Sequence, residues 1–146
     1  MKDNYTIIKE EFDTLTGVTT VTINTSYGAF TGSVKVDDID AQYPSVFHAS
    51  ELALSKALQK YAKQMVVITR EKLKPLRSVL KQCAWVDNNS DNIVWSQATF
   101  LIRKEIEKLE KEMALWKRRV EAVTVTIKNR ITIRDRIVKN YLDKNK

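Results

Sequence analysis

From Ile102 to Ile127, apolar residues return at alternating steps of three and four without a miss: Ile102, Ile106, Leu109, Met113, Trp116, Val120, Val123 and Ile127. That period places one apolar stripe along a helix of several turns, and such a stripe must be buried against something. The intervening "RKEIEKLEKE" sets opposite charges four residues apart, which supports a solvated outer face.

The partner stripe lies upstream. Leu54, Leu58, Tyr61, Met65 and Ile68 repeat at four and three, and Leu73, Leu76, Leu80 and Cys83 resume the pattern after a slip of about one position. The slip sits beside Pro75, and proline removes a helix hydrogen bond, so a bend or a junction of two helices is expected near residues 71–75. Between the stripes, "VDNNSDN" supplies turn chemistry, with Ser90 or Asp91 placed to accept from the free amides of the next helix.

The expected helices run over 45–87 and 91–142, packed antiparallel as a hairpin. Counting outward from Ser90 sets Lys60 level with Val120 and Phe47 level with Ile133. After Ile127 the next apolar residue is Ile131, four positions on instead of three, and the β-branched run Val123 to Ile127 lowers helix propensity there. A register shift, with a kink or break near 123–128, is the expectation.

The amino-terminal part has a different period. In "VTTVTINT" and "AFTGSVKV" apolar and polar residues alternate, as in a half-buried sheet, and "YTIIKEEF" reads as a less regular third strand. The breaks "TLTG" and "SYG" carry glycine where hairpins need positive φ. Residues 1–44 therefore read as a three-stranded antiparallel meander with a threonine-rich wet face. The fold class is α+β, one domain over 1–146, with the meander followed by a long coiled-coil-like hairpin. Three glycines and two prolines in 146 residues agree with long regular elements.

Charge is unevenly placed. The chain carries +7, and residues 117–146 alone hold ten cations against Glu121, Asp135 and Asp143. Residues 1–47 carry −4, so part of the tail's positive charge has acids within the same molecule to answer it. Lys56, Lys60, Lys63, Arg70, Lys74, Arg77 and Lys81 fall opposite the apolar stripe of the first helix, with Glu51 and Glu71 as the only acids between 48 and 86. Two readings stand: a solvated helix face, or a surface for an anionic partner such as nucleic acid. Lys117, Arg118, Arg119, Lys128, Arg130, Arg134, Arg136 and Lys139 make a second cationic cluster. Arg130 and Arg134 stand where the heptad requires apolar residues, and the register shift is expected to turn them outward.

Base readout lacks its usual parts: the basic face has no aromatic residue, and no helix-turn-helix, zinc-finger or RNP pattern occurs. Trp85 and Trp95 flank the turn at equal distance, either closing the core at the hairpin tip or forming an aromatic anchor for a protein partner. Asp37, Asp38 and Asp40 lack the glycine and distal glutamate of a calcium loop, and read as capping or turn residues. A single histidine, His48, and a single cysteine, Cys83, disfavour zinc sites and a cysteine–histidine pair. No enzyme, cofactor or metal is expected. The longest aliphatic run is "MVVI", so a membrane span is not expected either, and a cytoplasmic location is.

The stretch "YGAFTGSVKVDDIDAQYPSVFHASELALSKALQKYAKQ", with Gly28, Phe30 and Gly32 ending a sheet that leads through an acidic turn into a long helix, resembles short accessory proteins encoded by phages and prophages of Gram-positive bacteria. The resemblance covers about the first half and brings no catalytic residues. It implies an accessory role in the host cell, of a kind that includes proteins acting on host factors. The function expected is non-enzymatic binding of a host or phage protein through the hairpin, with self-association as one form of it; the alternative is a nucleic-acid-binding accessory protein using the basic face and tail.

Overall fold

The computed structural model describes residues 4–42, 47–89 and 93–144. Three strands, β1 (Tyr5–Asp13), β2 (Val18–Thr25) and β3 (Gly28–Lys35), are followed by a short helix α1 (Asp38–Gln42) and two long ones, α2 (Ala49–Asn89) and α3 (Ile93–Lys144). The α+β class and the antiparallel meander β1-β2-β3 are those the two periodicities require. Among the described residues, no helix is long and apolar enough to cross a membrane. The candidate caps Ser90 and Asp91 lie outside the described residues.

The chain divides into two compact units, residues 1–61 with 119–146, and residues 62–118. In the second, Leu73, Ile106 and Leu109 are buried together, with Leu76, Leu80, Ile102 and Met113 packed around them. Arg77 bridges Glu110 at 3.1 Å across the same pair of helices, so α2 and α3 run antiparallel here. Cys83 and Trp116 are buried, as their stripe positions demand.

In the first unit, the β2 residues Thr19, Val21, Ile23 and Thr25 are buried, and with Gly32 and Val34 of β3 they form the face that α2 covers. The opposite face is the threonine-rich one: Thr20 pairs with Ser33 at 3.3 Å and Thr22 with Thr31 at 3.0 Å, hydroxyl to hydroxyl across the ladder. The first hairpin closes at Gly17, whose φ of 72° suits glycine, with its amide donating to the Asp13 carbonyl at 2.8 Å. Helix α2 comes so close to the sheet that a Cβ on Gly32 would fall on the carbonyl oxygen of Ala53 and 2.6 Å from the Ala57 amide nitrogen. Ala53 and Ala57 are fully buried, which is the small-residue surface that such an approach needs.

Helices α2 and α3 differ from the expected boundaries in their continuity. One helix passes through Pro75, so the junction of two helices is excluded; Pro75 and Glu71, the residue whose carbonyl loses its usual N–H donor, are both exposed. One helix also passes through Val123 to Ile127, where a break was expected. Its threonines take their own helix's carbonyls, Thr124 donating to Val120 at 2.7 Å and Thr126 to Ala122 at 2.9 Å, while Val123 and Ile127 are half-buried. Packing of that face outweighs the few tenths of a kcal/mol by which each β-branched residue disfavours helix.

The expected register shift after Ile127 does not occur. Val120, Val123, Ile127, Arg130, Arg134, Ile137 and Tyr141 continue the three-four frame, all half-buried, whereas Ile131 and Ile133 are exposed. Two arginines thus occupy inward positions. Replacing Gly32 by alanine should destabilise the first unit by about 3 kcal/mol or more, because the added methyl meets the α2 backbone at Ala53 and Ala57, which cannot move aside as a side chain would; equilibrium denaturation of Gly32→Ala against the parent measures it.

Candidate functional site

Arg130 and Arg134 face inward because carboxylates meet them there. Arg130 Nη2 donates to Glu51 Oε2 of α2 at 2.6 Å. Arg134 Nε donates to Asp40 Oδ1 at 2.6 Å, Nη2 to Asp40 Oδ2 and Asp37 Oδ2 at 3.1 Å each, and Nη1 to Asp135 Oδ1 at 2.9 Å. The Asp40 side chain is 2% exposed and that of Arg134 is 24% exposed. Asp40 also accepts the Asp37 amide at 3.1 Å, so the short α1 is closed on itself and clamped to α3. Hydrogen bonds donated to Asp40, then to Asp135, raise the pKa of the Arg134 guanidinium above its ordinary range, against the smaller opposing effect of burial. The Arg134 guanidinium also lies 5.9 Å from the ring of buried Phe47, one residue from the expected level with Ile133.

These contacts make Asp37 and Asp40 counter-ions of the tail, and they remove Arg130 and Arg134 from the candidate anion-binding set. In the same unit Lys60 donates to the Thr31 carbonyl of β3 at 2.7 Å. Half-buried Lys56 lines a cavity of about 260 Å³ together with Val34, Phe47, Leu52 and Arg134. Lys128, Arg136 and Lys139 are exposed, and Arg119 is half-buried.

In the second unit Lys74 pairs with Glu71 at 3.1 Å and Arg77 with Glu110 at 3.1 Å. Lys63, Arg70 and Lys81 are exposed without a hydrogen-bonding or ionic partner among the described residues. Lys117 and Arg118 are exposed as well. The row opposite the apolar stripe is therefore part internal pairing and part open charge. Trp85 and Trp95 belong to α2 and α3, and their side chains lie outside the described residues.

One surface escaped the sequence reading. Register places Tyr5, Ile7, Glu10 and Phe12 of β1 beside Thr25, Ile23, Val21 and Thr19 of β2, on the face that α2 covers over β2 and β3. The cover stops short of β1: Ile7 is 47% and Phe12 53% exposed, on either side of exposed Glu10. A bulge between Ile7 and Lys9 moves the apolar positions from odd to even numbers, which is why simple alternation made this strand look irregular. The five-residue gap from Ile7 to Phe12 was the signal available.

Comparison with known proteins finds no matching family model, no similar curated protein and no similar solved structure.

Removing the cation from the buried pair should cost more than the pair contributes. Arg134→Met leaves Asp40 buried without a charge partner and should destabilise by about 2–4 kcal/mol, while Asp40→Leu with Arg134→Met should recover at least half of that loss; a double-mutant denaturation cycle gives both values.

Proposed function

We propose that this protein is a non-enzymatic binding protein that docks on a host or phage protein, in the accessory role that the resemblance of its amino-terminal half implies. The observation that carries the reading is the exposed strip Ile7, Glu10 and Phe12, an apolar continuation of the core face of the sheet that no element of the described chain covers. Single exposed apolar side chains are ordinary. Two of them flanking an acid on the core side of an open edge strand make a surface suited to protein contact. On this reading the contact lies at the edge of the sheet rather than on the hairpin, whose stripes in the second unit bury Leu73, Ile106 and Leu109 together.

A second reading rests on Lys63, Arg70 and Lys81, whose charges meet no acid among the described residues. Three phosphate contacts by these side chains would give sequence-independent nucleic-acid binding with a log–log salt slope of about −3.

Two measurements separate the readings. A photoreactive benzoylphenylalanine at position 12 should give covalent protein adducts in the cells that carry the gene, and the same group at exposed Asn129 should not; equal labelling from both sites, or none, removes the first reading. For the second, a labelled DNA duplex titrated at two salt concentrations should bind with that slope and lose most affinity in Lys63→Glu/Arg70→Glu/Lys81→Glu. Absence of binding at low salt removes it.

A further inference from the structure

We infer that the strip on β1 receives an extended segment of a partner protein that pairs with the free edge of β1 and sets a basic side chain between two apolar ones against Glu10. The inference rests on the protein-docking reading above and specifies the chemistry of the partner.

Four observations carry it. First, among the described residues β1 has a free edge, since the sheet order is β1-β2-β3 and β1 pairs with β2 alone. The other edge strand is engaged at its middle, because Lys60 Nζ holds the Thr31 carbonyl at 2.7 Å. An incoming strand therefore meets less obstruction at β1.

Second, the charges of β1 are not equivalent. Lys9 and Glu11, on the wet face, bridge each other at 3.2 Å. Asp13 Oδ1 accepts the Leu15 amide at 2.9 Å in the turn. Glu10 is exposed and has no hydrogen-bonding or ionic partner among the described residues. It sits on the core-side face between Ile7 and Phe12. The pattern that β1 offers is thus apolar, anionic, apolar, and the complementary strand carries apolar, cationic, apolar side chains at alternate positions.

Third, a second copy of β1 fits poorly. An antiparallel pair about a two-fold axis centred on Lys9, Glu10 or Glu11 sets like charges directly opposite one another. Centring it at Ile8 puts the bulge on the axis, and centring it at Ile7 leaves Phe12 outside the paired stretch. Fourth, the acids nearest the arginines of α3 are already taken: Asp37, Asp40, Glu51 and Asp135 all bind Arg130 or Arg134. Exposed Asp38, Glu105 and Glu121 also have no partner among the described residues, and Glu10 is the one that stands on β1 between the exposed apolar side chains Ile7 and Phe12.

The probe is a short blocked peptide that alternates threonine with valine, lysine and valine, compared with the same peptide carrying glutamate in place of lysine. Backbone amide shifts of the full chain are followed by NMR during titration into the millimolar range at low ionic strength. The lysine peptide should move the amides of residues 5–13 and bind about three- to fivefold more tightly than the glutamate peptide, as one cross-strand charge pair provides. Glu10→Lys, an exposed substitution, should reverse the order. Equal binding of both peptides at β1, or no reversal in Glu10→Lys, overturns the charge assignment and leaves the docking reading standing. Failure of both peptides to move β1 overturns strand addition, and the photo-cross-link at position 12 then reports separately on docking.

Discussion

A carboxylate cannot be withdrawn from water unless a cation comes with it, and Asp40 is withdrawn almost completely. Arg134 is the cation. Three acids surround its guanidinium, and the geometry is fixed at both ends, by the closed turn of α1 and by the three-four frame of α3. A pair of this kind contributes little net stability compared with apolar side chains of the same shape, but it penalises every other alignment of the two elements. In the first unit, α1 and α3 are therefore held in one register, and one turn away Arg130 bridges exposed Glu51 of α2.

This use of charge has a consequence for the surface. A tail with ten cations looks like an anion-binding element when it is read alone, yet two of its central arginines are spent inside the molecule. The open positive charge lies elsewhere, in the second unit at Lys63, Arg70 and Lys81 and on the outer side of α3. Among the open acids, Glu10 stands on β1 among apolar side chains. Close approach of α2 at Gly32 has a similar effect on the sheet: the helix is drawn onto β2 and β3, and the core face of β1 remains uncovered.

How far the fold was legible can be followed in particular residues. The alternation in Val18–Lys35 and the heptad stripes identified the meander and both helices, because periods of two and of three to four depend only on local backbone geometry. The same logic failed at Ile8, where one inserted residue reverses the parity of a strand, and at Arg130 and Arg134, where charged side chains stand in apolar positions. It also allowed a junction of two helices at Pro75 and a break at Val123 to Ile127, and one helix passes through each; at the second, packing of half-buried Val123 and Ile127 outweighs propensities worth only a few tenths of a kcal/mol per residue.

By itself, then, the order of residues determined the α+β class, the element order and the antiparallel sense of the hairpin, since each follows from local periodicity and from short connections. Tertiary structure alone decided which charges are internal and which are open, and which strand of the sheet lacks a cover. The reason is physical: a side chain's solvation depends on what the rest of the chain brings to it, and Asp40 is separated from Arg134 by most of the sequence. No local pattern around either residue records the other.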